Sequence, residues 1–225
     1  MKEYLSDKKA KKAIIDIGQR MYVRNFVAAN DGNISIKVGD NEVWATPTGV
    51  SKGFMKKSML VKVDLDGNVL EGKGKPSSEL KMHLRAYKEN EDIKAVVHAH
   101  PPICTAFSIA RIPMDIPILA EAVITLGEVP ITEYAELGSE AVPESIAPFC
   151  HTHNGVILGN HGAVTWGKDP YDAYYRLESM EYYANILMLT DRVLGNQKTL
   201  SKEQVENLIA QREKFGIKRG GTPRL

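Results

Sequence analysis

Cysteine is scarce in this 225-residue chain, with Cys104 and Cys150 as the only two. They lie far apart and form no Cys-x-x-Cys pair, which argues against a disulfide framework and a thiolate zinc site. Both read as small buried hydrophobes, and a reducing cytoplasm is the expected compartment. An excess of either charge is also lacking. Lys+Arg 29 against Asp+Glu 28 leaves +1, which gives no electrostatic reason to expect nucleic acid or an anionic membrane as partner. The lysines Lys8, Lys9, Lys11 and Lys12 read as the solvated face of a first helix. No apolar run reaches the roughly 18 residues of a membrane span, and the N-terminus carries no signal-peptide core. No repeat, low-complexity tract or Pro/Gly/Ser linker divides the sequence, so residues 1–225 are expected to form one domain.

What is present is an ordinary globular composition, 43% hydrophobic and 25% charged, with clear periodicities. Residues 7–28 predict an amphipathic helix, with Ile14, Ile17, Met21 and Ile15, Tyr22, Phe26 at helical spacings. Residues 34–46 and 59–72 alternate like paired strands around Gly-Asp-Asn and Asp66-Gly67 turns, so each predicts a hairpin. Residues 77–90 predict a helix whose first turn is Ser77, Ser78 and Glu79. A strand over 93–99, a short helix over 102–110 and two strands within 155–167 follow. Helices over 170–194 and 202–215 close the chain, the first with Leu177, Met180, Tyr183, Ala184, Leu187 and Met188 inward. This order predicts an α/β sandwich around a largely antiparallel or mixed sheet.

The histidines raise the question of function. In "VVHAHPP" (96–102), His98 and His100 project from one face of an extended strand, with Ala99 opposite. Two adjacent imidazoles can share one divalent cation, although a histidine at a strand end can equally be hydrogen-bonded only. Pro101 and Pro102 end the strand at the pair. A third ligand has two candidates. His161 lies in "GNHG" between Gly159 and Gly162, while His151 and His153 repeat the two-residue spacing in a polar stretch that reads as surface. His83 is either a residue behind the site or an ordinary surface histidine. In "GKPSSELKMH" (74–83), Ser77 and Ser78 at a helix start can bind an anion or simply cap it. Glu79 there can serve chemistry or the helix dipole.

Taken together, the motifs resemble the class II aldolase/adducin family. The resemblance rests on five segments in order over nearly the whole chain: "DGNIS" (31–35), "TPTGVSKG" (46–53), "GKPSSELKMH" (74–83), "AVVHAHPP" (95–102) and "GNHGAV" (159–164). It implies an α/β/α sandwich around a mainly antiparallel central sheet, usually a homotetramer with active sites at subunit contacts. It also implies one zinc ion per subunit, held by His98, His100 and His161. Glu79 is implied as the acid/base that closes the metal's coordination when substrate is absent, while His151 and His153 match no ligand. Gly32, Asn33, Thr48, Gly49, Ser77 and Ser78 fall where the family holds the substrate phosphate.

The implied reaction is cleavage of a ketose 1-phosphate, of the L-fuculose 1-phosphate kind, to dihydroxyacetone phosphate and an aldehyde through an enediolate. Zinc would act as Lewis acid and Glu79 would carry the proton. Other chemistries of the family are a sugar-phosphate 4-epimerase and a methylthioribulose-1-phosphate dehydratase. A non-catalytic adducin-like interaction domain is the reading of another class, and it has no chemical need for Glu79 and three histidines.

The sequence also departs from the pattern of the family's ketose 1-phosphate aldolases. Leu119 and Phe215 stand where those enzymes carry tyrosines, one of which protonates the aldehyde oxygen from a neighbouring subunit. Glu121 and Tyr134 are the candidate replacements.

Overall fold

The structure is a computed structural model and describes residues 4–224. Eight strands form one sheet: β1 (Asn33–Gly39), β2 (Glu42–Ala45), β3 (Val61–Val63), β4 (Val69–Glu71), β5 (Ala95–Ala99), β6 (Ile131–Tyr134), β7 (Gly155–Gly159) and β8 (Gly162–Gly167). Their order is β4-β3-β2-β1-β5-β8-β7-β6. Every neighbouring pair is antiparallel except β6 and β7. The helices are α1 (Asp7–Val23), α2 (Leu80–Glu89), α3 (Pro102–Ala110), α4 (Ala120–Thr125), α5 (Ala141–Ile146), α6 (Pro170–Met188) and α7 (Lys202–Ala210). Among the described residues no helix is long and apolar enough to cross a membrane.

Side-chain alternation builds two cores from one sheet. Ala95, Val97 and Ala99 of β5 join Ile34 and Ile36 of β1 beneath α1 and α6. The intervening Val96 joins Val164 and Trp166 beneath α2 and α5. The inward stripe of α6 is buried from Leu177 to Leu187, with Met188 packed at its edge. Both cysteines are buried and free, and burial pushes the Cys150 thiol up to about 12.

Several boundaries differ from the periodicity. The first helix stops at Val23, not 28, because Asn25 takes a left-handed φ of 59°. Phe26 is still buried, as its N–H returns to the Met21 carbonyl. The helix expected over 77–90 begins at Leu80, and Ser77 and Ser78 form the turn before it. The helix expected to 194 ends at Met188 and runs on as a π-turn over Leu189–Val193. That expected over 202–215 breaks into α7 and a 3₁₀ turn, Arg212–Phe215. Lys8, Lys9 and Lys12 are solvated as expected, but Lys11 lies over the Trp44 ring at 3.6 Å.

Helix α6 has a well-made start. Asp169 Oδ1 accepts hydrogen bonds from the Tyr171 and Asp172 N–H groups, both at 2.9 Å, and Pro170 supplies the first helical residue. Asp169→Ala is expected to destabilise the chain by about 0.5–2 kcal/mol, read as a lower urea midpoint with unchanged slope.

Candidate active site

The centre of the sheet places two polar rows against each other. Asn33 and Ser35 of β1 point toward α2, because Ile34 and Ile36 take the other face. Along α2, His83 and Tyr87 follow Glu79, the residue at its N-cap, at successive four-residue steps and so share its face. The rows meet pair by pair. Asn33 Nδ2 donates to Glu79 Oε2 at 2.7 Å and to Ser77 Oγ at 3.2 Å. Ser35 Oγ lies 2.8 Å from His83 Nδ1 and 2.7 Å from the Tyr87 hydroxyl. His83 is therefore fully buried rather than a surface residue. Its solvent-free setting, and then the nearby His98, push its pKa down to about 3.

The pairing of β1 with β5 and of β5 with β8 brings the histidines together. Asn33 sits opposite His98, and Ala99 opposite Ala163. His98 Nδ1 bonds the Ala163 carbonyl at 2.9 Å, which turns its Nε2 toward His100 Nε2 at 3.2 Å. Asp31 Oδ2 lies 3.3 Å from His100 Nδ1 and orients that ring in the same sense. His161 occupies the two-residue turn between β7 and β8, where Asn160 supplies the left-handed φ of 56°. Neither flanking glycine, Gly159 or Gly162, has a positive φ, so the turn does not rest on glycine freedom. Gly162 serves close approach instead, since a Cβ there would lie 2.5 Å from Ala99 O and 2.6 Å from His100 Cδ2.

The result is a cluster in which His98, His100 and His161 each offer a ring nitrogen, all within 4.8 Å of one another. Glu79 Oε1 stands 3.0 Å from His161 Nε2 and 3.4 Å from His98 Nε2, and it accepts no hydrogen bond. Burial alone would raise the Glu79 pKa, but the charge of His98, and then the closeness of the His161 and His98 rings to Oε1, hold it well below the usual carboxylate range. Conversely, Glu79 raises His98 against its burial. Burial, and then His98 and His161, push His100 down to about 4. A carboxylate with this demand for positive charge and three converging imidazole nitrogens form a donor set that fits a divalent cation.

A cavity of about 370 Å³ opens beside the cluster. Its walls include Gly32, Asn33, Thr48, Gly49, Ser77 and Ser78 together with Glu79, His100 and His161. His98 lies beneath, fully buried. Backbone bonds draw the loops together: Thr48 N–H donates to Lys75 O at 2.9 Å, and Pro47 bridges to Pro76. Gly32 has a φ of +74°, and a Cβ there would lie 2.9 Å from His98 O. Periodicity and motif reading missed Lys52, whose only sequence signal is a single cation inside "GVSKG". It is 2% exposed and its ammonium donates to Asn30 O and Val50 O, joining the two loops and adding positive charge to the cavity wall. Burial lowers its pKa to about 8, against the opposing pull of Asp31 and Glu79. Leu137 and Gly138, beyond β6, also line the cavity.

Other candidates lie elsewhere. His151 is exposed. His153 is half-buried rather than on the surface, with Nδ1 2.8 Å from Thr152 Oγ1 and Nε2 3.9 Å from Glu128. Leu119 and Glu121 line a separate cavity of about 470 Å³, whose walls include none of the three histidines. Tyr134 is exposed at the end of β6 opposite Gly159, and Phe215 is exposed near the C-terminal end.

Known proteins share this arrangement of chain. The family described as Class II Aldolase and Adducin N-terminal domain matches residues 12–188. An L-fuculose phosphate aldolase of Methanocaldococcus jannaschii is 38% identical over 179 residues, which is 80% of this chain and 96% of the relative. A 3-oxo-tetronate 4-phosphate decarboxylase of Haemophilus influenzae is 33% identical over 81% of this chain and 88% of its own length. A 5-deoxy-D-ribulose 1-phosphate aldolase of Bacillus thuringiensis is 31% identical over 92% and 97%. A solved L-fuculose 1-phosphate aldolase superposes with a TM-score of 0.83 at 29% identity, covering 95% of this chain and 98% of that one. With the α/β fold and mainly antiparallel sheet in agreement, the chain belongs to the class II aldolase and adducin family.

Proposed function

We propose that this protein is a zinc-dependent aldolase that cleaves a ketose 1-phosphate to dihydroxyacetone phosphate and an aldehyde. One observation carries the reading. The three histidine nitrogens and Glu79 converge at a cavity that also exposes Thr48, Ser77, Ser78 and the buried cation Lys52. This supports a metal centre set beside a place for phosphate. Neutral imidazoles with one carboxylate suit zinc. Zinc held by His98, His100 and His161 would supply Lewis-acid stabilisation of the enediolate charge left when the carbon–carbon bond breaks.

The chain's own residues do the rest. The hydroxyls of Thr48, Ser77 and Ser78, with the loop N–H groups of Gly49, Ser77 and Ser78, hold the phosphate and so fix the sugar's position. Glu79 moves a proton on and off the enediolate carbon. Asn33 holds Oε2 of that carboxylate, leaving Oε1 on the histidine side. Two variants separate these roles. Ser77→Ala is expected to raise KM more than it lowers kcat, whereas Asn33→Ala is expected to lower kcat as well, because Glu79 loses its donor. Steady-state kinetics read both, and a pure KM effect in Asn33→Ala would remove Asn33 from proton transfer.

With Leu119 and Phe215 in place of phenols, the aldehyde end of the site is less polar, and the proton for the aldehyde oxygen comes from Glu121 of a neighbouring subunit or from water. Short or apolar aldehydes are therefore the expected partners of dihydroxyacetone phosphate. Cleavage of a 5-deoxypentulose 1-phosphate, such as the 5-deoxy-D-ribulose 1-phosphate in the name of the Bacillus thuringiensis relative, would give acetaldehyde. The exposed apolar Ile109, Val193 and Leu194 support an assembled form. We take it to be a cytoplasmic homotetramer, whose size light scattering reads.

The deciding experiment incubates zinc-loaded protein with dihydroxyacetone phosphate and lactaldehyde, acetaldehyde or glyceraldehyde at equal concentration. Aldol products, formed faster from the first two, are expected. Faster use of glyceraldehyde counts against the apolar end. No aldol product, with CO₂ released from a 3-oxo acid 4-phosphate, would replace the aldolase reading by decarboxylation, the chemistry named for the Haemophilus influenzae relative.

A further inference from the structure

The two central strands β5 and β8 carry the histidine cluster at one end, and at the other end a second polar cavity of about 220 Å³ opens. Lys94 precedes β5, Lys168 follows β8, and the stretch Gly216–Arg219 closes over them. From residue 94 to residue 98 the strand rise gives roughly 13 Å, so this cavity is distinct from that of the histidines.

Its charges do not balance. Asp92 is engaged by Lys218 at 3.1 Å. Asp172 is engaged by Arg176 at 3.0 Å and by the Lys168 N–H at 3.0 Å. With both carboxylates taken, the Lys168 ammonium and the Arg219 guanidinium make no hydrogen bond or ion pair to any described residue. Arg219 Nε is shut off from solvent and still has no partner. A guanidinium placed this way is costly without an anion. Burial accordingly weakens its hold on the proton, against the pull of Asp92 and Asp172. The position is nevertheless fixed from the backbone side, since Arg219 O accepts from Asn154 Nδ2 at 2.7 Å and Gly220 N–H donates to Thr152 O at 2.9 Å.

We propose that this cavity is a second anion site, which takes a small phosphate monoester through its phosphate group. The planar fork of Arg219 matches two phosphate oxygens, and the Lys168 ammonium supplies a point charge beside it. Two uncompensated cations suit a dianion. The volume leaves room for a short carbon skeleton but not for a nucleotide. An anion there ties the Gly216–Arg219 stretch to the ends of β5 and β8.

The test titrates metal-free protein with inorganic phosphate at constant ionic strength, by calorimetry, against chloride as the screening control. Lys168→Gln with Arg219→Gln is expected to lose one phosphate per chain, or to weaken it at least about tenfold. Ser77→Ala leaves that phosphate in place, whatever it does at the histidine cavity. A tungstate soak is expected to give an anomalous peak within hydrogen-bond distance of Arg219. Phosphate binding in the double variant equal to wild type, or tungstate at the Ser77–Ser78 cavity alone, would overturn the proposal. Should the double variant fail to fold, Lys168→Glu at the exposed mouth serves instead, with the same loss expected and the same outcome overturning the inference.

Discussion

His161→Ala is expected to lose most of its zinc, and turnover with it, by about 10³-fold or more, the rate equivalent of several kcal/mol of Lewis-acid stabilisation. His161 supplies one of the three nitrogens that lie within 4.8 Å of each other, and it is the histidine nearest Glu79, at 3.0 Å. Without it the cluster keeps only the His98–His100 pair, whose Nε2 atoms face each other at 3.2 Å. The turn itself should survive, because the left-handed Asn160 and the close-packed Gly162 are unchanged. His98→Ala and His100→Ala are expected to behave alike. His151→Ala combined with His153→Ala is the control. His151 is exposed and His153 is held by Thr152, away from the cluster, so zinc should be untouched. Elemental analysis of the purified variants decides the matter. Full zinc in His161→Ala, or zinc loss in the 151/153 double variant, would sink this choice of ligands.

Glu79→Gln should separate holding the metal from moving the proton. The amide keeps the shape of the carboxylate and can still accept from Asn33 Nδ2, which lies 2.7 Å from Oε2. It cannot act as a base. The three imidazoles remain, so zinc should largely be retained while turnover falls by roughly 10²-fold or more. Exchange of the carbon-bound proton of dihydroxyacetone phosphate into D₂O, followed by NMR, isolates the step. Exchange at the wild-type rate in the variant would show that another group is the base.

Much of this site is legible along the chain because its pieces are local. The His98-x-His100 pair depends only on strand alternation, and the 102–110 helix and the 155–167 strand pair follow from periodicity and turn residues. The two hairpins over 34–46 and 59–72 also stand where alternation puts them. By contrast, α4, β6 and α5 left no readable pattern. The two helices are six residues long, too short to repeat the 3.6-residue period, and the four-residue β6 is held by parallel pairing to β7.

Residue types and spacings thus determined the amphipathic helices, the antiparallel hairpins and the five ordered segments by which the family is recognised. Two decisions remained for the tertiary structure. His151 and His153 repeat the spacing of His98 and His100 and are set aside in sequence only by their polar setting and the family resemblance, whereas the β5–β8 register, with Ala99 opposite Ala163, is what carries His161 to the pair. Likewise, nothing near Asn33 in sequence announces that its amide would hold Glu79, or that Lys52 would join the loops at Asn30 and Val50. The physical reason is the same in each case. Periodicity records which face a residue turns inward, whereas contacts between residues far apart along the chain are set by which strands pair and in what register.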